Sequence, residues 1–150
     1  MISKTNQEKV RKFFETVDIM QTPRAREVGL LVVKRENLSD ISSLAPNSNL
    51  VTVIDLNDEM DVESAVHQLA DAMRAGRVAL LRIYDYLDPK IYNQLHLLAK
   101  AGRMEYPKLE ERIFVDAAKG AQVILIATDA NLEKLNYQNI FDIAGVTERL

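Results

Sequence analysis

The sequence has no cysteine, so neither a disulfide nor a thiolate nucleophile or ligand is available to it. Two histidines, His67 and His96, each fall in a predicted helix and are too few for a histidine-rich metal site. No stretch approaches the ~20 apolar residues that a membrane span needs. The amino terminus lacks the apolar core of a secretory signal, so a cytoplasmic location is expected. A basic excess is also missing: the net charge of −3 and a pI near 5.4 argue against a general nucleic-acid binder. What remains is ordinary. The chain has 150 residues, 47 % hydrophobic and 27 % charged, enough for one domain with a real core.

The first segment is a candidate amphipathic helix over residues 1–20. Val10, Phe13, Phe14 and Val17 recur at i, i+3, i+4 and i+7, and Lys9, Arg11 and Lys12 crowd the same turns. Such a helix either lies in a membrane interface, with its phenylalanines in the acyl boundary and its cations at anionic headgroups, or docks on a protein core. Pro23 is placed to close it. Residues 21–48 read as a linker with a possible short strand at "GLLVVKR", ending in the loop-like "SSLAPNSN".

From residue 49 the pattern is regular and defines an α/β core domain, 49–150. "NLVTVIDL" is a β-branched strand. "DVESAVHQLADAMRAG" is a helix capped by Asp61 and ended by Gly76, with Val62, Val66, Leu69 and Met73 on one face. "RVALLRIY" has almost no polar alternation and predicts a strand buried on both faces. "DPKIYNQLHLLAKAG" is a second helix, with Asp88 at N-cap, Pro89 at N1 and Gly102 at its end; Ile91, Leu95 and Leu98 form its stripe. "RMEYPKLEE" reads as a polar connection broken by Pro107. "RIFVDAAKGAQVILIATD" reads as a hairpin turning at Gly120, and "NYQNIFDIAGVTERL" as a short helix with Ile140, Phe141 and Ile143, ended by Gly145. The expected fold is a small two-layer α/β sandwich with a βαβαββ core, preceded by the amphipathic helix and finished by a C-terminal helix.

Chemistry is hard to find. The strand ending "RIYDYLD" places Asp85 and Asp88 where a nucleotide hydrolase keeps its metal-binding acids. Hydrolysis also needs a glycine-rich loop whose amides cradle the phosphates. The residues after the first candidate strand, "KRENLSDISSL", contain no glycine. Asp88 is better read as a helix cap, worth ~1 kcal/mol. Ser64 lies three residues from His67 without an orienting group, and "DLNDEMD" lacks the spacing and central glycine of a calcium loop. No catalytic residue, metal or cofactor is assigned, and the expectation is a non-enzyme. The span from "LDPKIYNQLHLLAKAG" to "QVILIATD" nevertheless resembles the region between the acidic and sensor strands of AAA-type ATPases. One reading is therefore a degenerate nucleotide-binding-like interaction domain without hydrolysis.

A second resemblance rests on "VTVID", "DAMRAG", "VALLRI", Leu87-Asp88, "VILIATDANL" and the basic "KVRKFF", which together are similar to the SepF cell-division family. It implies an adaptor that tethers the tubulin-like FtsZ to the membrane and self-assembles as a homodimer or higher oligomer. Val10, Phe13, Phe14, Val17, Lys9, Arg11 and Lys12 would then contact an anionic membrane on its inner face. The second helix and the hairpin, including Leu95, Leu98, Ile113, Val123 and Leu125, would supply the dimer surface and the groove for the FtsZ C-terminal peptide. No nucleic-acid partner is implied.

Overall fold

The computed structural model describes residues 2–22, 25–41, 50–108 and 111–150. Pro23 and the loop-like "SSLAPNSN" segment, residues 42–49, lie outside them. The elements are α1 (Lys4–Ile19), β1 (Val28–Val33), a 3₁₀ turn (Arg35–Asn37), β2 (Val51–Leu56), α2 (Val62–Arg74), β3 (Val78–Ile83) and α3 (Pro89–Ala101). They are followed by β4 (Arg103–Lys108), β5 (Glu111–Asp116), β6 (Gln122–Thr128), α4 (Leu132–Tyr137), α5 (Ile140–Ile143) and β7 (Ala144–Arg149). Five strands form one parallel sheet in the order β2-β3-β6-β1-β7. The chain is thus an α/β protein whose sheet is covered by helices, as parallel strands require.

Caps predicted from local chemistry are in place. Asp61 accepts from the Glu63 amide and Asp88 from the Lys90 amide, each fixing the start of its helix. Gly102 ends α3 in the left-handed region at φ 68°, which a side chain would resist. Val66, Leu69 and Met73 of α2 and Ile91, Leu95 and Leu98 of α3 pack on one face of the sheet, against Leu81, Ile83, Val123 and Leu125.

Three expectations are corrected. The first is the hairpin. β5 pairs antiparallel with β4 in a separate two-stranded ribbon, while β6 enters the parallel sheet between β3 and β1. All seven residues of β6 are buried, the mark of an inner strand. The stretch around Pro107 is a strand, because in a two-stranded ribbon a proline can sit on an outer edge. Second, "GLLVV" is no linker element. All of β1 is buried between β6 and β7, so residues 21–48 contribute a strand of the core. Third, Gly145 does not end the chain's last helix; it lies in β7, which pairs with β1.

The other face of the sheet belongs to α1. Val10, Phe13, Phe14 and Val17 are buried with Leu31, Val33, Ile124 and Ile126. The close approach depends on Gly29, where an added Cβ would lie 2.7 Å from Phe13 Cζ and 2.8 Å from Val17 Cγ2. The predicted amphipathic helix is therefore present, with its apolar stripe turned into the protein. Burying a large apolar side chain is worth roughly 1.5–3 kcal/mol, which makes the sheet a sufficient home for the stripe.

Candidate functional site at the carboxyl edge of the sheet

In parallel sheets, ligands and partners meet the loops at the carboxyl ends of the strands. Here the most organised of these is the β3–α3 loop, residues 84–88. Three side chains of the α4 segment hold it. Asn131, 4 % exposed, accepts from the Thr128 amide at 2.9 Å and donates to the Ile83 carbonyl at 2.8 Å, joining the ends of β6 and β3. Gln138 grips Leu87 from both sides, accepting from its amide at 3.0 Å and donating to its carbonyl at 2.7 Å. Lys134 pairs with Asp85 at 2.6 Å, which raises the lysine's pKa first through that hydrogen bond and then through charge. Lys134 lies within the short helix α4, with Asn131 and Gln138 at its two ends.

Beside this loop, Arg82 forms a two-pronged pair with Asp55 of the neighbouring strand, Nε to Oδ1 at 2.5 Å and Nη2 to Oδ2 at 2.8 Å. The Tyr84 hydroxyl donates to Asp55 Oδ1 at 3.2 Å. The Arg82 hydrogen bond holds the Asp55 carboxyl below the ordinary carboxylate range, while partial burial works against it. Burial pushes the Tyr84 hydroxyl up, with the nearby Arg82 charge opposing it. A small cavity of about 110 Å³ lies between the ends of β2 and β3, bounded by Leu56, Met60, Val62, Asp58, Asp85, Tyr86 and Asp88.

Each acid of "YDYLD" thus has a structural role. Asp85 holds Lys134, and Asp88 caps α3. Among the described residues, no group of three or more histidines and acids is arranged to hold a metal ion. At the end of β1 the chain continues through Lys34 into the 3₁₀ turn, so the place of a phosphate loop is taken by a turn that contains no glycine. Ser64 accepts a hydrogen bond from Gln68, one helical turn on. What the edge presents outward is aromatic: Tyr84 and Tyr86 are 44 % and 52 % exposed on a loop pinned from behind.

The residues expected to act at a membrane or groove are distributed differently. Lys9, Arg11 and Lys12 are exposed on the outer side of α1, whereas Val10, Phe13, Phe14 and Val17 are in the core beneath it. Leu95, Leu98, Val123 and Leu125 fill the core between the sheet and α3 instead of lining a groove, and Ile113 is half-buried on β5. Neither the Asn131–Lys134–Gln138 set nor the Asp55–Arg82 pair was anticipated. Each left a signal: polar residues at helical spacing after an inner strand, and single opposite charges near the ends of two apolar strands.

No protein-family model matches the chain, and no curated protein matches it significantly. Among the described residues, no helix is long and apolar enough to cross a membrane.

Proposed function

We propose that the chain is a non-hydrolysing protein-interaction domain on a P-loop-type sheet, and that it meets its partner through Tyr84 and Tyr86. One observation carries the reading: β6 is inserted between β1 and β3 in an all-parallel sheet. In AAA-type and related ATPases the sensor strand likewise separates the strand leading to the phosphate loop from the acidic strand. The resemblance of "QVILIATD" to the sensor strand gains weight from that placement. A fold does not dictate activity, however, and the described residues at the two positions a hydrolase would use are built differently. The glycine-free turn after β1 has no cradle for phosphates, and the acids after β3 are committed to a lysine and a helix cap. Tyrosines held on a preorganised loop are the residue type that interfaces favour, because little entropy is lost on binding.

The test places a photo-crosslinking phenylalanine analogue at position 86 of the full chain in its native cells, with position 71 on α2 as an exposed control. A discrete adduct from position 86 alone is expected. Equal adducts from both positions, or ATP hydrolysis above background by the purified chain, would sink the proposal.

The adaptor reading keeps one favourable observation, the cationic outer side of α1 formed by Lys9, Arg11 and Lys12. Full membrane insertion would require α1 to leave the sheet and expose Leu31, Ile124 and Ile126. Co-sedimentation of the full chain with anionic liposomes and FtsZ filaments tests it: recruitment supports an adaptor, and its absence removes that reading.

A further inference from the structure

The opposite, amino-terminal edge of the sheet holds a different kind of site. A cleft of about 560 Å³, within the ~300–1,000 Å³ usual for ligand pockets, is lined by Asp18, Gln21, Thr22, Arg26, Ala117, Lys119 and Gly120. Arg26 is 7 % exposed. Its Nη2 donates to the carbonyls of Ala117 at 3.4 Å and Ala118 at 3.2 Å, but among the described residues its Nε has no partner. Gln21 commits its Nε2 to the carbonyls of Val17 and Glu27, leaving Oε1 without a donor among the described residues. Beside it Gln122, 6 % exposed, donates to Asp18 Oδ1 at 2.8 Å and likewise has an unpaired Oε1. Buried polar groups are rarely left unmet, and two on residues that line one cleft, with a third on Gln122 next to Asp18, demand an explanation.

The unmet groups define a complementary ligand. A buried guanidinium donor, with the exposed Lys119 across the cleft, calls for an anionic oxygen. Among the described residues, the acid lining the cleft, Asp18, is already engaged by Gln122. The Gln21 amide oxygen calls for an N–H donor. The last residue of a polypeptide carries both groups: a carboxylate, and a main-chain N–H one residue-length away. We infer that this cleft captures the carboxyl-terminal residue of a polypeptide, with the carboxylate on Arg26 and Lys119 and the N–H on Gln21. Capture of a chain terminus by converging donors is a known mode of peptide recognition. The exposed Ile19 and Met20, between Asp18 and Gln21 in sequence, offer apolar surface to the preceding residues.

The experiment is a titration of the isotope-labelled full chain with N-acetyl-leucine, N-acetyl-leucinamide and acetate, followed by NMR. N-acetyl-leucine is expected to move the Arg26 Nε–H and the Gln21 side-chain amide saturably at millimolar concentrations. The amide, which lacks the carboxylate, is expected to leave them unmoved. Lys119→Gln, on the exposed wall, is expected to weaken binding about three- to fivefold, as for loss of an exposed ion pair, with thermal unfolding unchanged. Arg26→Lys should abolish binding; if that variant does not fold, Lys119→Gln decides alone. Equal response to acid and amide, no response to any probe, or an unchanged affinity in Lys119→Gln would each overturn the inference. Acetate binding as tightly as N-acetyl-leucine would reduce the cleft to a simple anion site and overturn its assignment to polypeptides.

Discussion

The two faces of the parallel sheet are closed in different ways. One is covered by α2, α3, the α4–α5 segment and the β4–β5 ribbon, most of them connections between successive strands. The other is covered largely by α1, with Leu38 and Ile41 after β1 adding to the same core. Their apolar stripes look alike in the sequence. The difference teaches that an amphipathic stripe reports that a helix buries one side, and says nothing of what it buries it against.

If α1 is as integral as α3, truncating their stripes should cost the same. Phe14→Ala is expected to lose ~3–5 kcal/mol and Leu95→Ala ~2–5 kcal/mol in chemical denaturation. A loss below about 1 kcal/mol for Phe14→Ala would mark α1 as an arm that leaves the sheet easily. Asn131→Ala comes next, at ~2–3 kcal/mol, because it strands a buried amide and a buried carbonyl at the ends of β6 and β3. That loss should be accompanied by faster hydrogen exchange in residues 84–88, with α1 unaffected.

Gly29→Ala sharpens the comparison from the other side. Its new methyl would press on Phe13, Val17 and Ile124 at once, and overpacking of ~1–3 kcal/mol is expected. Chemical-shift changes should concentrate on the α1 face. The smallest effect belongs to the Asp55–Arg82 pair, partly exposed and worth under about 1 kcal/mol. Because the Asp55 carboxyl is depressed in the folded protein, its contribution is complete above the unfolded value of about 3.9 and is lost as pH falls through the folded one. Asp55→Asn should therefore be slightly less stable than the natural chain at pH 7, and the gap should close in acid. A gap that widens in acid would refute the assignment.

Much of the fold was legible residue by residue. Asp61, Asp88 and Gly102 mark helix ends through local hydrogen bonding, which sequence reports directly. The uniform apolarity of "RVALLRIY" likewise predicted a strand buried on both faces. What failed was pairing. Gly120 does adopt a turn conformation, yet the strands on either side of it do not pair, because the seven buried residues of β6 gain more inside the parallel sheet. The terminal strand β7 was masked by its polar alternation at a sheet edge. The candidate site was legible only in part. Asp85 and Asp88 drew notice for their charge, while Asn131 and Gln138 act on main-chain atoms brought near only by the sheet order.

That order also governs how the protein is made. β1 emerges in synthesis well before both strands that flank it, residues 122–128 and 144–149. Until those are available, "GLLVV" has neither edge satisfied and is an apolar template for pairing with another chain. Completion of the sheet waits on contacts distant in sequence, which slows folding and lengthens exposure of that segment. A nascent chain stalled before residue 122 would carry a sticky, unfinished sheet, so the helix α1 that precedes β1, able to fold over it early, would serve as its first shield against aggregation.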